Sequence, residues 1–236
     1  MGRLADKPPA VSHRLREIRP DNKHDLATIA QLHMELLDYG PMAGLGELFI
    51  RKIGYAMHMA DGLLKVALYE VEGQAAGFMA YTSRSISFHR AGLKQHWPYV
   101  GWIVLLSILQ DLRRLRRLLR AVRVLLSRRG EQRTGTDPLG EIVAIAVRRD
   151  YANPTFVRET GLRVGAELVA YARSELKHDD VNKIRMLVDA DNKAALFFYH
   201  GLGAHMEPYQ QAGEPMVQVW FDLEERPPPS TGQSTQ

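Results

Sequence analysis

Three groups in this chain sit in surroundings that could support chemistry: a phenol, a carboxylate and a glycine-led helix start. The segment "VDADNKAALFFYHGLGA", Val188 to Ala204, holds Asn192, Ala195, Tyr199 and Gly203 along a strand, a helix and a turn. Asn192 can cap the helix. Ala195 is small enough to let a ligand lie across it, and Tyr199 falls one turn further on, on a neighbouring face. A second segment, "EIVAIAVRRDY" followed by "TGLRVGAELVAYA", runs from an apolar strand through a glycine-containing connection into a helix. Unpaired N–H groups and the helix dipole favour a phosphate at such a start. Glu141 opens the strand as a carboxylate available for proton transfer. Each feature also has a plain alternative. Phe197, Phe198 and Tyr199 could be core aromatics with Gly203 in a turn, Glu141 an exposed strand start, and the glycines an ordinary strand–loop–helix connection.

Other chemistries find no support. The chain has no cysteine, so disulfides, thiolate metal sites and a cysteine nucleophile are excluded, and a reducing cytoplasm fits. His58, His89, His96 and His200 are scattered without metal-ligand spacing, and no serine lies in a GxSxG elbow. Asp189 and Asp191 are further acidic candidates, better placed as caps for the helix that follows them.

The 236 residues suit one domain with room for an insertion. Hydrophobic residues at 45% and charged residues at 25% are the balance of a soluble globular protein. The polar start of the chain lacks the apolar stretch of a signal peptide, and no apolar run reaches membrane-spanning length. The net charge is +4, but residues 101–129 hold eight arginines against one acid, Asp111, which makes the rest of the chain −3. The basic character belongs to one segment, so a nucleic-acid partner for the whole protein is not expected.

Positioning the candidate groups requires an ordered set of elements. The pattern predicts a strand over Arg14–Ile18 and a helix from an Asp21 cap to about Leu37. A second helix follows over roughly Leu45–Met59, stopped at Gly62. Strands at Leu64–Val71 and Ala76–Thr82 form a hairpin around Gly73. Glu141–Val147 has the composition of a buried central strand. Then come a helix over Thr160–Leu176, a strand at Ile184–Val188, a helix from Asn192 to His200, and strands near His205 and at Met216–Asp222. This order implies an α/β layer with a mixed sheet.

The two chemistry-bearing segments resemble motifs of the GNAT N-acetyltransferases, and with the strand order the resemblance covers residues 13–83 and 139–223. It implies a mixed, mostly antiparallel central sheet flanked by helices, with a helical insertion between the third and fourth strands. The domain would span 13–224, the insertion 84–138, and flexible tails 1–12 and 225–236. The family's strand presents backbone to the pantetheine arm of acetyl-CoA, here Ile145, Ala146 and Val147. Its Gly-rich loop holds the pyrophosphate, here Gly161, Arg163, Val164, Gly165 and Ala166, with Asn192 and Ala195 also lining the cofactor. The loop departs from the family pattern: Arg163 stands where glycine is usual, Thr160 where a basic or amide residue is usual, and eight residues, "ANPTFVRE", are additional. The resemblance implies Tyr199 as general acid toward the thiolate and Glu141 as base toward the acceptor ammonium, with no metal.

The implied activity is acetyl transfer from acetyl-CoA to a primary amine of a small molecule, for instance an amino sugar. The alternative is a non-catalytic module that binds acyl-CoA, a membrane or a partner. Within the insertion, Leu105, Ile108, Leu109, Leu112, Leu115, Leu119, Val122 and Leu126 recur at helical spacing, with Arg113, Arg117, Arg120 and Arg123 between them and Trp97, Tyr99 and Trp102 at the start. A basic amphipathic helix over 101–129 is expected. It would pack on the domain or in a homodimer, contact an anionic acceptor, or lie on a membrane surface, so the protein is placed in the cytoplasm, with membrane association open.

Overall fold

The computed structural model of the chain describes residues 11–38, 42–84, 95–111, 116, 139–211 and 213–223. Alternating apolar positions build seven strands into one sheet: β1 (His13–Glu17), β2 (Lys65–Val71), β3 (Gln74–Thr82), β4 (Leu139–Val147), β5 (Lys183–Asp189), β6 (His205–Gln211) and β7 (Glu214–Asp222). Their spatial order is β1-β2-β3-β4-β5-β7-β6. Only β4 and β5 run parallel; the other five neighbouring pairs are antiparallel. The β2–β3 hairpin turns on Glu72 and Gly73, both at positive φ (50° and 75°), the backbone that a two-residue loop matched to strand twist requires.

Helices cover both faces. One face carries α1 (Lys23–Leu36) and a continuous helix, α2, formed by Glu47–Phe49, Ile50–Met57 and His58–Ala60. Its middle segment is π-helical, and a 3₁₀ turn at Ala43–Leu45 leads into it. The other face carries α6 (Val164–His178) and α7 (Lys193–Gly201), defined below with their neighbours. Between β3 and β4 lies α3 (Trp97–Gln110), packed on α2 through Ile103, Ile53 and Met57. Two short helices, α4 (Arg149–Ala152) and α5 (Pro154–Thr160), join β4 to α6.

Four expectations need correction. The cap of α1 is Asn22 rather than Asp21: its Oδ1 accepts from the His24 and Asp25 N–H groups, and its Nδ2 donates to Asp25, a donation no aspartate can make. The long helix starts at Val164, not Thr160. Of the additional "ANPTFVRE" residues, Ala152 ends α4 and the stretch from Pro154 on folds as α5, because Asn153 caps it through the Phe156 N–H at 2.8 Å and Pro154 suits its first turn. Gly161, at φ +76°, stops it. The helix after β5 is capped by Asn192, not by Asp189 or Asp191; Asp189 instead accepts the Asp191 N–H in the preceding turn. The helix in the insertion has no charged side chain between Trp97 and Gln110, while Arg113, Arg117, Arg120 and Arg123, with Leu112 and the later leucines, lie outside the described residues. The two tails lie outside them as well, except residues 11 and 12.

The α1 layer is tied to the sheet by charge and packing. Arg16 of β1 forms a two-pronged bond to Asp25 of α1 (2.6 and 2.9 Å) and reaches Glu70 of β2. The hydrogen bond from Arg16 holds the Asp25 carboxyl below its usual range. Leu26, Ile29, Ala30 and Leu32 are buried beside His33, which lies 2.6 Å from the Tyr55 hydroxyl. Burial pushes the His33 pKa down to about 4 and the Tyr55 hydroxyl up. An unfolded histidine titrates near 6.5. Between about pH 6.5 and 4 the unfolded chain therefore binds a proton that the folded chain refuses, so stability falls as pH drops through that window, by roughly 3 kcal/mol at most. Denaturant titrations from pH 7.5 to 4.5 check this: His33→Gln should flatten the decline, leaving the smaller slope of His58, which burial also pushes down.

Candidate active site

The site begins where the sheet divides. Among the described residues β4 and β5 pair over three positions, Leu139↔Lys183, Gly140↔Ile184 and Glu141↔Arg185. Beyond Glu141 they diverge, β4 continuing to Val147 on β3 and β5 continuing to Asp189 on β7. A wedge opens between them, lined on each arm by backbone that the other arm does not pair. β4 also carries a bulge: Ala144 faces Ala80 and Ile142 faces Tyr81, leaving Val143 without an opposite residue. A bulge bends the strand and raises its local twist, here in the β3–β4 ladder just beyond the last pairing with β5.

The vertex is clamped from both faces. On the α1 face the Arg185 Nη2 donates to the Glu141 carboxylate at 3.2 Å, with both side chains 5% exposed or less. On the α6 face Gly140 receives the end of α6: a Cβ there would stand 3.1 Å from Leu176 and from Val181. The opposite end of α6 reaches the open mouth, since Gly165 of its first turn lies near Val147, the last residue of β4. α6 therefore runs back along β4, and the crossover brings its N-terminus to the wide end of the wedge.

That N-terminus differs from those of α1, α5 and α7. Each of these is capped by an asparagine side chain, whereas no side chain caps α6. Its first-turn N–H groups have no partner within the helix, and the dipole there favours an anion. Glu167 sits beside this start, accepting the Arg163 N–H at 3.0 Å and the Tyr69 hydroxyl at 2.6 Å. Burial first, then the bond to Glu167, pushes the Tyr69 hydroxyl up, so it stays a donor. The Arg163 side chain is exposed at the mouth.

The residues singled out from the sequence take these places. Ile145, Ala146 and Val147 form the arm of β4 beyond the pairing with β5. Val164 is buried in the core with Gly165 and Ala166 in the first turn of α6, Arg163 just before it, and Gly161 further back as the stop of α5. Asn192 caps α7 by accepting the Ala195 N–H at 3.1 Å, and Ala195 packs on the core. Tyr199, 4% exposed, belongs to the core cluster on the α6 face, its ring 5.1 Å from that of Phe198. Phe198 lies against Gly165, where a Cβ would meet its ring at 3.2 Å, so α7, which follows β5, touches α6, which follows β4. Glu141 points to the other face, because its neighbours Gly140 and Ile142 face α6. The wedge thus separates Tyr199 and Glu141, one on each face of the sheet.

Sequence reasoning missed the bulge at Val143, the Arg185 partner and the Phe198–Gly165 contact. An all-apolar strand reads alike with or without a bulge. Arg185 did leave a signal: it is the one charged residue inside the apolar stretch Ile184–Val188, and a charge in a central strand needs a partner.

The sheet order, the single parallel step and the wedge define the GNAT N-acetyltransferase fold, and comparison with solved structures agrees. PaiA N-acetyltransferase from Thermoplasma acidophilum, in complex with coenzyme A, aligns with a TM-score of 0.52 at 12% identity, over 89% of this chain and 99% of that one. A GNAT-family protein from Desulfovibrio desulfuricans gives 0.54 at 10% identity, over 90% and 100%. The ribosomal-protein-S18-alanine N-acetyltransferase of Escherichia coli gives 0.51 at 12%, over 95% and 99%. At such identities the likeness is one of fold. The sequence matches no family model and no curated protein. Among the described residues no three histidines or carboxylates are grouped to hold a metal ion.

The buried pair at the vertex is open to a stability test. Removing one partner of a buried ion pair costs about 3 kcal/mol or more. Arg185→Met should lower the unfolding free energy by about that amount, and Glu141→Gln with Arg185→Met should recover part of it. Urea melts of the two single variants and the double variant give the coupling between the residues; additive effects would mean that the pair does not hold the vertex.

Proposed function

We propose that the chain is an acyl-CoA-dependent N-acyltransferase that moves an acetyl group from acetyl-CoA to a primary amine. The observation that carries this reading is the wedge between β4 and β5, open toward the uncapped start of α6. An extended thioester cofactor needs such a place: strand-edge peptide groups for an amide-bearing arm, and helix N–H groups for a diphosphate. Ile145, Ala146 and Val147 would hold the arm. Val164, Gly165 and Ala166 would offer their N–H groups to the diphosphate, with Arg163 adding a guanidinium at the mouth. Gly161 would shape the approach to that turn, and Asn192 and Ala195 would keep the α7 start narrow beside the cofactor.

The bound cofactor supplies the acyl group already activated as a thioester. Catalysis then needs proximity and two proton transfers. The acceptor must lose a proton before its nitrogen attacks, and Glu141, reached through a water, would take it. Its bond to Arg185 would keep the carboxylate at the vertex, where the arms of β4 and β5 part. The nitrogen forms the amide bond as the carbon–sulfur bond breaks, and the Tyr199 hydroxyl, from the opposite face, would protonate the departing thiolate. A small amine such as an amino sugar is the acceptor class we favour. The S18-alanine enzyme shares the fold and, by its name, acts on a ribosomal protein and not on a small amine, so the fold by itself leaves the acceptor to the residues around Glu141.

Two measurements test the reading. Titration calorimetry with acetyl-CoA should give saturable binding that excess adenosine 3′,5′-diphosphate weakens. Gly165→Val should weaken it at least tenfold, or about 1.4 kcal/mol, by driving a side chain into Phe198 at the mouth. Absence of binding to the wild type would end the proposal. In acetyl-transfer assays with amine acceptors, Tyr199→Phe should bind acetyl-CoA normally and lose about 10²-fold or more in kcat. Unchanged turnover would remove Tyr199 from the mechanism.

A further inference from the structure

Helix α3 presents a second surface with no place in acyl transfer. Five of the six large apolar side chains exposed among the described residues lie on it: Trp97, Tyr99, Trp102, Leu105 and Leu109. Its inner face, with Ile103 and Val100, is seated on Ile53, Met57, Leu48 and Phe49 of α2. The Ser107 hydroxyl donates to the Leu45 carbonyl, and His96, just before the helix, lies 3.0 Å from Asp61 at the end of α2. The helix is therefore held firmly while Trp102, Leu105 and Leu109, at 59%, 46% and 67% exposure, form a stripe on the outside. Fourteen residues without a charge, exposed on one side, are not what a solvated helix carries.

We propose that α3 docks the protein on an anionic lipid bilayer, lying in its interface. Three observations select this occupant. The exposed residues are two tryptophans, a tyrosine and leucines, the composition that settles at the boundary between headgroups and acyl chains. The charge is complementary: residues 101–129 carry +7 while the rest of the chain carries −3, and Arg116, shortly after α3, is exposed. A second copy of the chain would add a further +7 segment to the assembly, whereas anionic headgroups neutralise the one present. Finally, a fourteen-residue helix is about 21 Å long, short of the roughly 30 Å hydrocarbon layer, and no described helix is long and apolar enough to cross a membrane. It can lie on a bilayer and cannot span one. The proposal is independent of the acyl-transfer reading.

Co-sedimentation of the full chain with vesicles tests it. Binding to phosphatidylcholine vesicles containing phosphatidylserine should exceed binding to pure phosphatidylcholine by at least about tenfold and fall as salt is raised. The double variant Trp102→Gln, Leu109→Gln, with an unchanged melting temperature, should lose most of that binding; Leu105→Gln alone serves if the double variant does not fold. Absence of vesicle binding by the wild type, equal binding to both vesicle types, or undiminished binding by a folded variant would each overturn the proposal. So would a dimer in sedimentation equilibrium that the variant dissolves and that does not bind vesicles, which would give the surface to a second copy of the chain.

Discussion

Among the described residues β4 and β5 are hydrogen-bonded over three residue pairs and part after Glu141, and the rest of the architecture is arranged around that short contact. Strand edges left apart must satisfy their backbone polar groups elsewhere. Each arm of the wedge manages half of this through its outer neighbour, β3 for β4 and β7 for β5. The inner edges then remain for a ligand or solvent. Had the two strands paired to their ends, the result would be an ordinary mixed sheet with no opening. The buried Glu141–Arg185 pair on one face and the close approach of Leu176 and Val181 to Gly140 on the other hold the vertex. The point of divergence is thereby specified by side chains and not by the ladder alone.

The crossover between these strands serves a second purpose. A parallel connection needs a helix to return the chain to the start of the sheet. Because α6 returns along β4 from Gly165 near Val147 to Leu176 at Gly140, its N-terminus is carried to the open end of the wedge. The positive end of the helix dipole and the widest part of the cleft coincide as a consequence of topology. The lack of a capping side chain on α6, beside asparagine caps on α1, α5 and α7, is the local choice that leaves this end available.

Much of this frame could be read from the sequence. The β2–β3 hairpin around Gly73, the central strand through Glu141 (which opens two residues earlier, at Leu139, than the sequence suggests), and the Asn192 start of α7 rest on signals confined to a few neighbouring residues. What escaped depends on partners distant in the chain. The four residues of α4 and seven of α5 are too short to show a period, and their stability comes from Asn153 and packing such as Tyr151 on Phe156. The π-helical middle of α2 has no local signature. The role of Arg185 is invisible until β5 is set beside β4, since its partner lies 44 residues away. The segment before α6 reads as irregular because eight residues are additional to the family pattern; in three dimensions most of them lie in the separate helix α5, and α6 begins only at Val164.

The two faces of the sheet also divide the chemistry. Glu141 and Arg185 face the layer of α1 and α2, and α3 is seated on α2, so the base candidate and the exposed aromatic stripe belong to one side of the molecule. Tyr199, α7 and the start of α6 belong to the other. A water-soluble, polyanionic cofactor is best admitted from a side that stays in solvent and away from an anionic surface. If α3 rests on a bilayer, the side turned toward the lipid is the one carrying Glu141, while the helix start that suits a diphosphate is on the side turned away. The anionic membrane and the anionic cofactor would then lie on opposite sides of the sheet, with like charges kept apart.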